Sequence, residues 1–170
     1  MNIRRTNGFT IVEMAVVIIV IGILAAITAV AYGSVQERAR DAQRVSDLAQ
    51  LKQAMDRWVM TESKLPHESG AGYNGNGGGW VYASTYPETY ENIFLSKGFI
   101  EKPLRDPSTP IGSGSYMFYR CNSTSEYYAF LAKLEYPDDA VDNEHSRWTG
   151  LGCSSYSTYG MNYARIMRYK

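Results

Sequence analysis

The chain has 170 residues, with 17 basic and 17 acidic side chains and a formal net charge of zero. This length is typical of one ordinary domain and argues against a two-domain enzyme. The balanced charge excludes a surface devoted wholly to nucleic acid, although a local basic patch is compatible with it. Aliphatic residues crowd into the first fifth of the chain, whereas 13 of the 14 tyrosines follow Pro66, so the two parts are predicted to contact different solvents.

The segment from Phe9 to Tyr32 is an almost continuous aliphatic run. Its last 19 residues, from Met14 onward, carry no charge, and at about 1.5 Å per residue they span roughly the 30 Å core of a bilayer. A cleaved signal peptide is disfavoured, because the apolar region of a signal peptide is about 7 to 15 residues long and ends at a small-residue cleavage site. The run in this chain is longer and continues without a break into the predicted helix that follows. The run therefore predicts one transmembrane helix.

The orientation of that helix is ambiguous by the positive-inside rule, because arginines flank the run on both sides. The downstream arginines are interleaved with acidic residues, and both cysteines also lie downstream, where an oxidising compartment would suit them. The N-terminus is expected in the cytoplasm and the C-terminal part outside it.

Beyond the membrane run, apolar residues recur every three or four positions from Val35 to Trp58, which is typical of an amphipathic helix. Asp41, Arg44 and Asp47 are assigned to the opposite, polar face. Pro66 disfavours a helical residue before it, so the helix is expected to end near Glu62.

Glu13 is the one acidic residue inside the aliphatic run. An ionised carboxylate at the centre of a membrane helix costs about 2.5 to 3.5 kcal/mol, so such a residue is a functional candidate by default. The alternative is that Glu13 lies near the membrane interface, reaches water and has no further role.

The sequence RRTNGFTIVE, residues 4–13, resembles the leader and cleavage motif of type IV prepilins and of the pseudopilins of type II secretion. The resemblance implies that a prepilin peptidase cuts after Gly8 and methylates the new N-terminus, Phe9. It also implies that the Phe9 ammonium neutralises Glu13 of an adjacent subunit, so that both residues serve assembly. The segment PLRDP, 103–107, is similar to the Asp-Pro segment of the major pseudopilin, but lacks the tryptophan that usually follows.

This resemblance gives an expected α+β fold, in which a long N-terminal spine helix, transmembrane in its first half, packs on a small antiparallel β-sheet head. The expected segments are a prepilin leader at 1–8, a transmembrane half-helix at 9–32, an exposed amphipathic half-helix at 33–63 and a globular head at 64–170.

Within the head, a glycine-rich stretch at 70–79 is expected to be a flexible link, and Tyr86–Lys97 a short helix ended by Gly98. Three segments rich in aromatic and branched residues predict strands. They are Ser115–Cys121, Glu126–Glu135 and Gly160–Tyr169, with a hairpin-like connection at Asn122–Ser125.

Cys121 and Cys153 are the only cysteines. Outside the cytoplasm they would most simply form a disulfide with each other. A pair of buried thiols is the alternative, and metal binding is disfavoured because the cysteines and the two histidines lack ligand spacing.

An acidic loop is expected at Asp138, Asp139, Asp142 and Glu144. The resemblance suggests a structural Ca²⁺ there, as in the C-terminal loop of major pseudopilins, with the three aspartates as weak candidates. The spacing does not match an EF-hand, so a solvated loop without cofactor or metal is favoured.

The C-terminus combines Arg165, Arg168 and Lys170 with Tyr163 and Tyr169, a chemistry that can hold phosphates and stack on bases. A nucleic-acid site is thus a candidate. The favoured interpretation is a strand with buried aromatic rings and solvated cations.

No catalytic triad, phosphate loop or metal motif is recognisable, so no enzymatic activity is expected. The favoured function is a structural subunit of a type IV pilus-like filament. The alternatives are a type II secretion pseudopilin, a DNA-uptake pilin and a single-pass membrane protein that does not polymerise.

By resemblance, the partners are other copies of the chain, the prepilin peptidase, and an assembly platform with its ATPase. The expected location is the cytoplasmic membrane, with the head outside the cytoplasm, and then a cell-surface or periplasmic filament.

Overall fold

The computed structural model describes residues 8–66, 70–73, 78–109, 115–121, 126–137 and 139–169. The elements in chain order are helix α1 (Ile11–Glu62), strand β1 (Gly79–Trp80), helix α2 (Tyr90–Ser96), strands β2 (Met117–Arg120) and β3 (Tyr127–Ala132), helix α3 (Asp139–Gly150), a 3₁₀ turn (Tyr156–Tyr159) and strand β4 (Tyr163–Arg168).

The chain divides into two compact units, one ending at Glu37 and one beginning at Arg38. The first unit holds the apolar part of α1. Its side chains are exposed almost throughout; Ile11, for example, is 89% exposed. Within the described residues, α1 is the single helix long and apolar enough to cross a membrane, by length and composition.

The second unit contains the sheet, whose four strands lie in the order β1-β2-β3-β4 with every pair antiparallel. The registers place Phe118 of β2 opposite Phe130 of β3, with ring centroids 5.0 Å apart. Aromatic cross-strand pairs of this kind stabilise sheets. The predicted α+β, pilin-like architecture is confirmed.

Both faces of the sheet are covered. One face, with Phe118, Phe130 and Met167, packs against Leu51 and Trp58 of α1 in the main core. The other face forms a second core, whose buried members are Met117, Cys121, Ala129, Leu131, Trp148, Cys153, Tyr156, Met161 and Ala164. Burial on both sides explains why the sequence of β3 is nearly continuous apolar residues rather than alternating ones.

Helix α1 ends at Glu62, as expected, and Ser63 then takes a positive φ of 53°. Helix α2 is shorter than the predicted Tyr86–Lys97. Its first turn is capped by Thr89, whose Oγ1 accepts a hydrogen bond from the backbone N–H of Asn92 at 3.1 Å, so the helix begins only at Tyr90. The left-handed Gly98 near its end is confirmed, with φ 68°.

The expected acidic loop is wrong, because Asp139–Gly150 is helix α3. The sequence of α3 has little apolar periodicity to indicate a helix. Trp148, which is fully buried, packs this helix against the second core. Asp138 lies outside the described residues, as do the side chains of Asp139 and Asp142. The suggested Ca²⁺ site therefore stays a prediction.

Cys121 and Cys153 form a disulfide, with their Cα atoms 4.9 Å apart. The bond lies in the second core beside Trp148 and joins the end of β2 to the segment after α3. The predicted pairing is thus present, and the alternative of two buried thiols is wrong. The predicted connection at Asn122–Ser125 lies outside the described residues.

Removing the disulfide should lower the free energy of unfolding by about 3 to 4 kcal/mol, because the bond closes a loop of some 30 residues in the unfolded chain. Denaturant unfolding of a Cys121→Ala/Cys153→Ala chain in detergent, followed by tryptophan fluorescence, measures this. Reductant should reproduce the loss in the wild type and leave the double variant unchanged. Equal unfolding midpoints for wild type and variant would contradict the expectation.

Candidate functional site

The Gly8–Phe9 peptide bond lies in non-helical chain just before α1. Phe9 is 83% exposed, and a Cβ at Gly8 would meet no atom within 4 Å. Residues 1–7, which precede this bond, lie outside the described residues. The bond predicted to be cut is accessible on the side that is described.

Thr10 and Glu13 form a reciprocal cap at the start of α1. The Glu13 carboxylate accepts hydrogen bonds from the Thr10 backbone N–H at 2.8 Å and from its hydroxyl at 2.9 Å, while Thr10 Oγ1 accepts from the Glu13 backbone N–H at 3.2 Å. This is the capping-box arrangement, in which an acidic residue three positions after the N-cap satisfies an otherwise unpaired donor. Thr10 of the same chain thus provides hydrogen-bond donors for the Glu13 carboxylate, which is unfavourable to bury in a membrane.

A second cluster of charged residues lies inside the second compact unit, which begins at Arg38, and is centred on Arg44. Its guanidinium donates to Asp106 at 2.7 Å, to Asp41 at 2.7 Å and to Glu135 at 2.8 Å. The Arg44 and Asp106 side chains are only 3% and 2% exposed. Opposite charges so placed offset the high cost of burying each one alone.

Asp41 ties α1 to the chain that follows β3. Its carboxylate accepts backbone N–H bonds from Glu135 at 3.0 Å and from Tyr136 at 2.8 Å. Glu135 in turn pairs with Arg40. Residues 40–44 of α1 are therefore bound to the chain after β3 through charge-assisted hydrogen bonds, which are stronger than neutral ones.

Nearby, the Asp47 carboxylate accepts a 2.7 Å hydrogen bond from the Tyr116 hydroxyl. Burial raises the pKa of Asp47, and the hydrogen bond from Tyr116 opposes that rise. Burial and the carboxylate beside it together raise the pKa of Tyr116 well above its usual range.

The prediction that Asp41, Arg44 and Asp47 lie on a polar face opposite the apolar stripe is wrong, since all three side chains are buried with it. A signal for this was present in the sequence. Asp41 and Arg44 continue the three-and-four spacing of Leu48 and Leu51, which places them in phase with the buried stripe. By contrast Val35, assigned to the stripe, is 62% exposed.

Hydrogen bonds from Arg40 and Arg44 lower the pKa of Glu135 from 4.5 to about 2, although partial burial opposes the shift. A carboxylate whose pKa is lower in the folded than in the unfolded protein stabilises the fold above the unfolded value. That contribution should be lost as the pH falls from about 4.5 towards 2.

A Glu135→Gln chain should therefore be less stable than the wild type at pH 7, and the difference should shrink below about pH 4.5. Parallel urea titrations of the two proteins across this range measure it, and carboxylates that do not contact Arg40 or Arg44 cancel in the comparison. A difference that stays constant from pH 7 to about pH 2 would contradict this role.

The C-terminal basic residues do not form one cluster in the described residues. Arg165 is partly buried, with its guanidinium carbon 5.4 Å from the centre of the Tyr163 ring. Arg168 is exposed and pairs with Glu126 at 3.2 Å. Lys170 lies outside the described residues, so the nucleic-acid site stays a prediction.

Residues 3–29 match the family model described as the prokaryotic N-terminal methylation motif. The chain is 30% identical to a type II secretion system core protein G of Dickeya chrysanthemi over 105 residues, which are 61% of this chain and 64% of that protein. It is 35% identical over 66 residues to the core protein G of Aeromonas hydrophila, 39% of this chain and 46% of that protein.

A third relative, the core protein G of Klebsiella pneumoniae, is 35% identical over 63 residues, or 37% of this chain and 45% of its own. The chain thus matches about half to two thirds of the length of these relatives. No solved structure shows significant similarity to it.

The matched residues include Gly8, Phe9 and Glu13. The relatives carry the name of a secretion protein, and the fold adds a long apolar helix followed by a small antiparallel sheet. The chain therefore carries the prokaryotic N-terminal methylation motif and resembles, in sequence and architecture, the type IV pilins and type II secretion pseudopilins.

Proposed function

We propose that this chain is a pseudopilin, a structural subunit of a periplasmic filament that drives type II protein secretion. The relatives named core protein G favour this function over the surface pilus that the sequence alone favoured. The observation that carries the proposal is that the Gly8–Phe9 bond lies in non-helical chain directly before an exposed apolar helix whose first turn holds Glu13.

In the proposed pathway the chain enters the cytoplasmic membrane by its apolar helix, with the N-terminus in the cytoplasm and the head outside. A prepilin peptidase removes residues 1–8 and methylates Phe9. Copies of the mature chain then polymerise through their N-terminal helices, with an assembly platform and its ATPase as partners. The role is structural, and no catalytic step is assigned to the chain.

Cleavage changes the electrostatics at the start of α1. In the uncut chain the Glu13 carboxylate is held by Thr10 of the same chain. Cutting after Gly8 creates an ammonium at Phe9, which can pair with Glu13 of a neighbouring subunit. An ion pair formed in hydrocarbon would replace a carboxylate that has hydrogen bonds from Thr10 but no positive charge beside it among the described residues, and this favours the assembled state.

Deleting the gene in its own host distinguishes a secretion filament from a surface pilus. We expect exported proteins to disappear from the culture medium while surface pili remain visible by electron microscopy. Re-expressing the wild-type chain should restore export, whereas a Glu13→Ala chain should not. Loss of surface pili with normal protein export would overturn the proposal in favour of a type IV pilin.

A further inference from the structure

A cleft of about 330 Å³ opens on the head beside β1 and β2. Five aromatic side chains line it, together with two glycines and a methionine, and none of the described lining residues is charged. The aromatic residues are Tyr73, Trp80, Tyr86, Tyr119 and Tyr159. None of them takes part in the processing or assembly proposed above.

One wall of the cleft is held in place around Gly79. This residue has a φ of 117°, and a Cβ there would lie 2.4 Å from the Tyr86 hydroxyl oxygen, so the position requires glycine. The Tyr86 hydroxyl accepts a hydrogen bond from the Trp80 backbone N–H at 3.0 Å. Tyr73 packs edge-on against Tyr86, with ring centroids 6.0 Å apart.

A second aromatic pair contributes the rings of Tyr119 and Tyr159, whose centroids are 5.6 Å apart. Tyr119 also contacts Trp148, which is fully buried, so this wall rests on the second core. Tyr73 and Tyr159 remain 59% and 46% exposed. The cleft therefore has a fixed base and two accessible rings, and a site formed before binding loses less entropy on binding.

The lining chemistry selects the class of ligand. Phosphates and carboxylates are usually bound by cationic side chains, which the described lining lacks. Aromatic faces with phenolic hydroxyls suit a neutral molecule that has both C–H faces and hydroxyl edges. The volume is near the lower end of ligand cavities, about 300 to 1,000 Å³, which suits one or two rings better than an extended proline-rich peptide.

We propose that this aromatic cleft binds a neutral oligosaccharide, with sugar rings in contact with both the Tyr73–Tyr86 pair and the Tyr119–Tyr159 pair. The head would thereby recognise uncharged glycan chains.

The test is a titration of the full chain with cellotetraose and chitotetraose, followed by tryptophan fluorescence. The detergent should be a polyoxyethylene type, because sugar-headgroup detergents would compete. Trp80 lines the cleft, Trp58 is buried in the main core, and Trp148 is fully buried behind Tyr119. We expect a saturable change with at least one tetrasaccharide, and loss of most of that change in a Trp80→Phe chain.

A Tyr159→Ala chain should bind the same sugar about tenfold more weakly, because it loses a stacking ring. Tyr159→Phe keeps the ring and should retain most of the affinity. Tyr136→Ala is the matched control, since Tyr136 is 52% exposed and is not among the lining residues.

Three results would overturn the proposal. The first is the absence of saturable binding of either tetrasaccharide up to about 10 mM, a concentration tenfold above a Kd of 1 mM. The second is a fluorescence change that keeps its full size in Trp80→Phe, or an affinity that falls as much in Tyr136→Ala as in Tyr159→Ala. The third is saturable binding of a proline-rich peptide or of choline by a chain that binds neither sugar.

Discussion

A Glu13→Ala chain should be cut after Gly8 yet yield at least about tenfold fewer filaments, a loss equivalent to about 1.4 kcal/mol per subunit contact. The variant removes the carboxylate that is proposed to pair with the Phe9 ammonium of the next subunit. Filament assembly in cells that express the secretion assembly machinery, measured by cross-linking neighbouring subunits and immunoblotting the products, tests this expectation.

Glu13→Gln is the matched control, because glutamine also serves at this position of a capping box. It should preserve the hydrogen bonds to Thr10 that start α1, yet remove the negative charge. If charge pairing drives assembly, the glutamine chain should lose filaments as fully as the alanine chain. If the Glu13→Gln chain gave as many filaments as the wild type, Glu13 would serve only to cap α1, and the assembly role would be contradicted.

Arg44→Met should lower the free energy of unfolding by about 3 to 5 kcal/mol, because it leaves buried carboxylates without their cation. Asp106 is 2% exposed and is held by both Arg44 and the backbone N–H groups of Ser108 and Thr109. Urea unfolding of the full chain in detergent measures the loss. Arg44→Lys keeps the positive charge but loses the forked geometry of the guanidinium. Its free energy of unfolding should therefore lie between those of the wild type and of Arg44→Met.

Lys52→Met is the control for this experiment. Lys52 pairs with Asp56 one turn along α1, but both side chains are more than a third exposed, so the pair should contribute under about 0.5 kcal/mol. A loss in Arg44→Met no greater than that in Lys52→Met would show that the buried network does not hold the helix to the head.

Strong local sequence patterns make helix α1 and the approximate positions of three strands predictable. The aliphatic run, Pro66 and the spacing of Leu48, Leu51 and Trp58 predict helix α1 closely. The three predicted strands are present, but each is shorter than predicted, because aromatic residues continue into the flanking turns. Strand β4, for example, is Tyr163–Arg168 rather than Gly160–Tyr169. Gly79–Trp80 was missed as a strand because two residues carry no periodicity.

Features that depend on tertiary contacts were not predictable in the same way. Helix α3 gains its stability from the burial of Trp148 against the second core, which no local pattern in its polar sequence reveals. Arg44 resembles any surface arginine until Asp106, 62 residues later, is brought beside it. The aromatic cleft likewise joins residues from Tyr73 to Tyr159 that only the folded head brings together.

Processing at Gly8–Phe9 is the step on which the proposed pseudopilin function depends most. Intact mass and N-terminal sequence of the protein recovered from host membranes test it most directly. We expect a mature chain that begins with N-methylated Phe9 and lacks residues 1–8. A chain that still begins at Met1, in cells with an active prepilin peptidase, would contradict it.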